Sequence, residues 1–119
     1  MNQEELSLLQ RLSKPTGKID VVLDTDTYNE VDDQFALSYL LCLAEGADAK
    51  INIRALCAAP FHNAKSENPG DGMEKSYQEI LHILTLLEKE EYKERVYKGS
   101  AGYLPDEQTP VESAAARHL

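Results

Sequence analysis

The sequence predicts an α/β domain built on a doubly wound, mostly parallel sheet, and three observations carry that expectation. Two apolar runs, "IDVVLDT" and "KINIRALCAAPF", carry too little charge for strands that face water on one side. Stretches with apolar residues at helical spacing lie between them and after them. Strand and helix therefore alternate, which is the order that gives parallel strands joined by right-handed crossovers.

Taken in order, residues 3–13 place Leu6, Leu9 and Leu12 at three-residue steps, a short amphipathic helix ended by the turn residues of "KPTG". Residues 1–18 read as a lead-in segment and 19–119 as the α/β domain. The first strand is Ile19 to Thr25. From Glu30 to Glu45, the residues Val31, Phe35, Leu37, Leu40, Leu41 and Leu43 describe a broadly apolar, packed crossover helix, with Gly46 placed to terminate it. The second strand leads into a loop, "HNAKSENPGDG". Met73, Tyr77, Ile80, Leu84 and Leu87 then mark the clearest amphipathic helix, with Met73 and Tyr77 on its core stripe. "RVYKG" is a short third strand, and "TPVESAAARHL" opens with Thr109 and Glu112 spaced as a capping box and Pro110 at the first helical position. Three strands leave sheet edges and helix faces uncovered, so the chain reads as the N-terminal, truncated portion of a larger domain.

Composition narrows the partners. A formal net charge of -9 works against nucleic acid, whose affinity is built from Lys and Arg contacts to phosphate. Neutral small molecules and metal cations are compatible with it. No apolar run approaches the ~20 residues that cross a bilayer, and "MNQEELSLLQ" lacks the basic region of a signal peptide, so a cytoplasmic protein without membrane contact is expected. Cys42 and Cys57 lie in apolar runs without CxxC spacing and read as buried free thiols.

The chemistry concentrates in "VVLDTDTYNEVDDQFAL", where Asp24, Asp26, Glu30, Asp32 and Asp33 follow directly on the first strand. In open α/β sheets, ligands bind beyond the carboxyl ends of the strands, which is where this stretch emerges. Strand alternation points Asp24 and Asp26 to one side and Thr25 to the other, while Asp32 and Asp33 fall in the first turn of the next helix. Two carboxylates about 5 Å apart at an effective dielectric near 20 repel by roughly 3 kcal/mol, whereas a helix N-terminus returns only about 0.3–1 kcal/mol to each. Protons or a divalent cation must make up the difference, and an all-oxygen set favours Ca²⁺ or Mg²⁺ over zinc. Asp32 and Asp33 diverge by about 100° around the helix, so one can hold metal while the other faces substrate. Water activated beside a carboxylate base makes hydrolysis the natural reaction class. An EF-hand is excluded: counting from Asp24, Asn29 stands where that loop needs Gly, and Phe35 where it needs Glu.

With its Asp-Thr-Asp, its Asp-Asp pair and its "QFAL" helix, the stretch resembles the N-terminal signature of the inosine-uridine-preferring nucleoside hydrolases. "AAPFHN", "GMEKSYQEI" and "YLPDEQTPVESAAA" follow in the order seen in a bacterial subset of that family, so the likeness runs from about Ile19 to the end. The resemblance implies hydrolysis of the N-glycosidic bond of nucleosides with Ca²⁺ at the carboxyl edge of the sheet, often in a homo-oligomer. It also implies roles: Asp26 as metal ligand and general base, Asp33 as metal ligand, Asp32 on the ribose hydroxyls and Asp24 as support behind them. Asn63 and His62, in the loop after the second strand, are the further substrate-contact candidates; Tyr28 and Asn29, inside the turn, could also meet base or ribose. His82, Glu74 and Lys75 read as ordinary helix residues.

This chain departs from that pattern in three ways. Five residues, "TYNEV", separate the two acidic motifs where the family has three. Ala58-Ala59-Pro60-Phe61 replaces the usual Gly-Asn, leaving Asn63 as the substitute. The family's remaining metal ligands and leaving-group contacts would lie beyond residue 119, so this chain by itself is expected to bind calcium weakly and to turn over slowly or not at all. Two rival readings are a calcium-binding α/β module without catalysis and a haloacid dehalogenase-like phosphotransferase. The second uses an Asp-x-Asp after the first strand but has Tyr28 where it wants Thr or Val and gives Asp32-Asp33 no role.

Overall fold

The computed structural model describes all 119 residues, and its element order is α1 (Gln3–Arg11), β1 (Ile19–Thr25), α2 (Val31–Leu43), β2 (Ile51–Ala58), α3 (Pro69–Leu86), a 3₁₀ turn (Glu90–Arg95), β3 (Val96–Lys98) and α4 (Ala114–His118). The protein is α/β: β1, β2 and β3 form one parallel sheet in that order. β1 spans the residues that the sequence predicts. Apolar burial on both faces makes β2 the central strand, and its run from Ala55 to Ala58 is fully buried.

α2 and α3 share one face of the sheet. Leu37 and Leu41 from α2 and Ile80, Ile83 and Leu84 from α3 close on Ile53, Leu56, Ala58 and Val96 in a single apolar core. The opposite face has only a small cluster, Ala55, Cys57 and Ala115, with Tyr97 against it. α1 buries no residue, and the radius of gyration, 16.3 Å, exceeds the ~13–14 Å of a compact chain this long. Its Asn2–Glu5 capping box closes the helix locally while its leucines stay in solvent.

Several expectations need correcting. α2 is only half packed: Leu37 is 0% exposed, but Val31 and Phe35 remain 62% and 71% exposed on its far side. Cys42 is exposed and only Cys57 is buried. α3 begins at Pro69, inside the stretch expected to be loop, because the Asn68 side chain accepts the Asp71 N–H and Pro69 sits in the first turn, where its missing N–H costs nothing. Helical glycines there allow close approach: a Cβ on Gly72 would lie 2.0 Å from the Phe61 carbonyl oxygen. The capping box at Thr109 does not form. Asp106 takes the Gln108 and Thr109 N–H groups and the Thr109 hydroxyl, and the last helix starts instead from Ser113, whose Oγ accepts the Ala116 N–H. No helix is long and apolar enough to cross a membrane.

Candidate functional site

β1 stops at Thr25 and α2 starts at Val31, so the acidic stretch is a turn at the carboxyl edge of the sheet followed by a helix start. The Asn29 N–H donates to the Asp26 carbonyl (2.7 Å), closing the turn. The Tyr28 N–H reaches the buried Ser76 hydroxyl of α3 (3.4 Å), tying the turn to the core helix. Glu30 is the N-cap of α2 without a side-chain bond, so Asp32 and Asp33 in the first turn are the acids that meet the helix N-terminus.

Asp33 turns inward. Its Oδ1 accepts the Thr25 hydroxyl at 2.6 Å, and the Thr25 and Thr27 hydroxyls pair at 3.0 Å. Both threonines are buried, and the sequence reading gave them no role. Their signal is the alternation in "DTDT": a hydroxyl at a buried strand position needs a partner, and the carboxylate supplies one. Partial burial holds the Asp33 carboxyl above the usual carboxylate range. The Thr25 bond opposes that rise, whereas the charges of Asp26 and Asp32 add to it.

Asp26 is the hub of a second network. Its Oδ2 accepts from Asn29 Nδ2 (2.8 Å), and Asn29 Oδ1 accepts from Asn63 Nδ2 (2.6 Å). Asn63 is therefore brought to Asp26 through Asn29, and the Asn29 side chain is engaged on both ends. The loop that presents Asn63 is braced as well. The Ser66 hydroxyl donates to the Phe61 carbonyl (3.0 Å), Lys65 donates through its ammonium to the Asn29 carbonyl, and Lys75 donates to the Lys65 carbonyl (2.8 Å) and to Asp71 (2.8 Å). The Lys75 bond, with the Glu67 N–H, holds Asp71 below the ordinary carboxylate range.

The other predicted residues are more open. Asp32 and His62 are exposed, and neither makes a side-chain hydrogen bond or ion pair. Asp24 lies opposite Cys57 in the β1–β2 register, on the α4 face. As a whole residue it is exposed, yet it lines a cleft of about 260 Å³ with Cys57, Pro60, Ser100 and Ser113, where loss of water around the carboxyl and then the charge of Asp26 hold it above the usual range. The same burial, with Asp24 beside it, pushes the Cys57 thiol up. Asp24 and Asp33 thus flank Asp26 from the two sides of the sheet edge.

Asp26 and Asp33 suit a hard cation, because both are oxygen donors, each acts on the other through its charge, and Asp33 lacks a compensating positive charge. They are a partial set: nowhere do three or more His, Cys, Asp or Glu side chains come together as a metal-holding group. No family model, curated protein or solved structure matches the chain.

Proposed function

We propose that this carboxyl-edge site belongs to a nucleoside hydrolase, which cleaves the N-glycosidic bond of a ribonucleoside with the help of Ca²⁺. The observation that carries the reading is the pair of carboxylates fixed at the end of β1, Asp33 by the Thr25 hydroxyl and Asp26 by Asn29, with the Asn63 side chain joined to Asp26 through Asn29. Asp26 and Asp33 would hold the ion. Calcium bound there supplies the positive charge that the pair lacks and makes water more acidic.

The chain's own groups supply the rest. Asn29 fixes one oxygen of Asp26 by its 2.8 Å bond, which leaves the other free to take a proton from water. Thr25 fixes Asp33 in the same manner. Asp32, exposed and unpartnered on the first turn of α2, is free to accept hydrogen bonds from ribose hydroxyls, and His62 stands in the loop carrying Asn63. Negative charge around the sugar favours the oxocarbenium character that develops as the base departs. A neutral substrate also suits a chain of net charge -9.

Calorimetric titration with Ca²⁺, run beside ribose release from inosine and uridine, tests the reading. The expected result is weak calcium binding that Asp33→Asn abolishes, with slow turnover that Asp26→Asn removes. Binding without turnover in the 119-residue chain would favour the calcium-binding module, and absence of calcium binding would overturn both.

A further inference from the structure

A second concave site lies away from the acidic edge, on the α4 face of the sheet. It is a cleft of about 270 Å³ lined by Arg54, Arg95, Tyr97 and His118. In a chain with 21 acidic residues against 12 Lys and Arg, this lining contains no acid. None of the six ion pairs involves Arg54, Arg95 or His118, so neither guanidinium has a carboxylate within 4.0 Å.

Three of the four lining residues are held before any ligand arrives, and the backbone aims the fourth. β2 pairs Ile53 with Val21 and Ala55 with Val22, which leaves Arg54 as the extra residue of a bulge, a device that re-aims a side chain out of the strand's alternation. Arg95 donates through one Nη to the Ile53 carbonyl and lies 5.4 Å from the Tyr92 ring centroid, so its guanidinium is held while its remaining N–H groups stay free. Tyr97 and His118 stack with centroids 4.0 Å apart and planes 20° from parallel, which joins α4 to β3. Two uncompensated guanidiniums lining one cleft match the donor chemistry of an oxyanion, and the prior ordering of Arg95 lowers the entropy lost on binding.

We propose that this cleft binds a phosphate group, with Arg54 and Arg95 as the charged donors and the Tyr97–His118 stack as its wall. The site is independent of the nucleoside hydrolase reading, because it uses none of the same residues. The test is NMR titration of the ¹⁵N-labelled full chain with inorganic phosphate and, separately, with ribose 5-phosphate, using acetate as the carboxylate control. Saturable shifts centred on Arg54, Tyr97 and His118 are expected, weakened about tenfold or more in Arg54→Ala. Arg54 bonds to nothing in the free protein, so that variant keeps the fold, which its unperturbed core resonances will verify. Tighter binding of the sugar phosphate than of inorganic phosphate would assign the site to phosphomonoesters, and the reverse order to the free anion. Shifts spread evenly over Lys and Arg residues, a response to acetate equal to that for phosphate, or undiminished binding in Arg54→Ala would overturn the proposal.

Discussion

The two faces of the sheet are built differently. On one, α2 and α3 bring large aliphatic side chains against Ile53, Leu56 and Val96 in an apolar core. On the other, the five-residue α4 covers Ala55 and Cys57 with Ala115, and two clefts stay open beside it. The first face supplies stability through buried area, at about 25 cal/mol per Å². The second has little area to bury, and it keeps charged and polar groups at the surface where ligands can reach them. The acidic edge lies where the two meet, with Asp33 braced from the packed side and Asp24 facing the open one.

The contrast is broken most directly by truncation within each cluster. Leu84→Ala, at a fully buried position between α3 and the sheet, is expected to cost about 2–5 kcal/mol in urea denaturation, whereas Ala115→Gly on the thin face costs no more than about 1 kcal/mol. Equal losses would show that the two faces carry comparable stability.

Gly72→Ala probes the seam between α3 and the loop after β2. Its Cβ would meet the Phe61 carbonyl at 2.0 Å, and backbone cannot yield as a flexible side chain does, so a loss of about 1–3 kcal/mol is expected. The displaced loop carries Asn63, which braces Asp26 through Asn29, so on the proposed reading calcium affinity should fall along with the melting temperature. Asn68→Ala removes the cap of α3 and should cost about 1 kcal/mol, read as an earlier denaturation midpoint with unchanged slope.

The smallest expected effect concerns charge at the edge. Because the folded state holds Asp33 above its unfolded value, the native chain binds more protons between the two, and stability falls as pH rises through that window. Asp33→Asn keeps an acceptor for Thr25 and removes the charge. It should therefore raise the melting temperature slightly at pH 7 in calcium-free buffer, with the gain disappearing at pH 3, where both states are protonated. A gain that persists at pH 3 would show that charge is not its source.

Much of the molecule was legible in the chain. The bounds of β1, the existence and order of β2, α3 and β3 and the core stripe of α3 from Met73 to Leu84 follow from period and composition, because a residue buried on a strand or helix must repeat with that element's geometry; Leu87, expected on the same stripe, is the exposed C-cap. The acidic cluster was legible too, since its charge stands directly behind an apolar strand. What misled was local chemistry with more than one solution. Thr109 and Glu112 have capping-box spacing, but Asp106 takes both the Thr109 N–H that Glu112 would need and the Thr109 hydroxyl that would form the cap. Val31 and Phe35 belong to an apolar helix yet lie on the side that nothing covers.

The sequence by itself determined the alternating order of elements, the parallel α/β class and the placement of Asp24, Asp26, Asp32 and Asp33 around one strand end. Only the tertiary structure decided what each of these acids meets: it sets Asp33 against buried Thr25, joins Asn63 to Asp26 through Asn29, and turns Asp24 toward Cys57. It also gathered Arg54, Arg95 and His118, separated by up to 64 positions, around one cleft. The physical reason is range: periodicity records which side of an element is buried, whereas contacts between elements depend on register, bulges and loop bracing that arise only when the sheet is assembled.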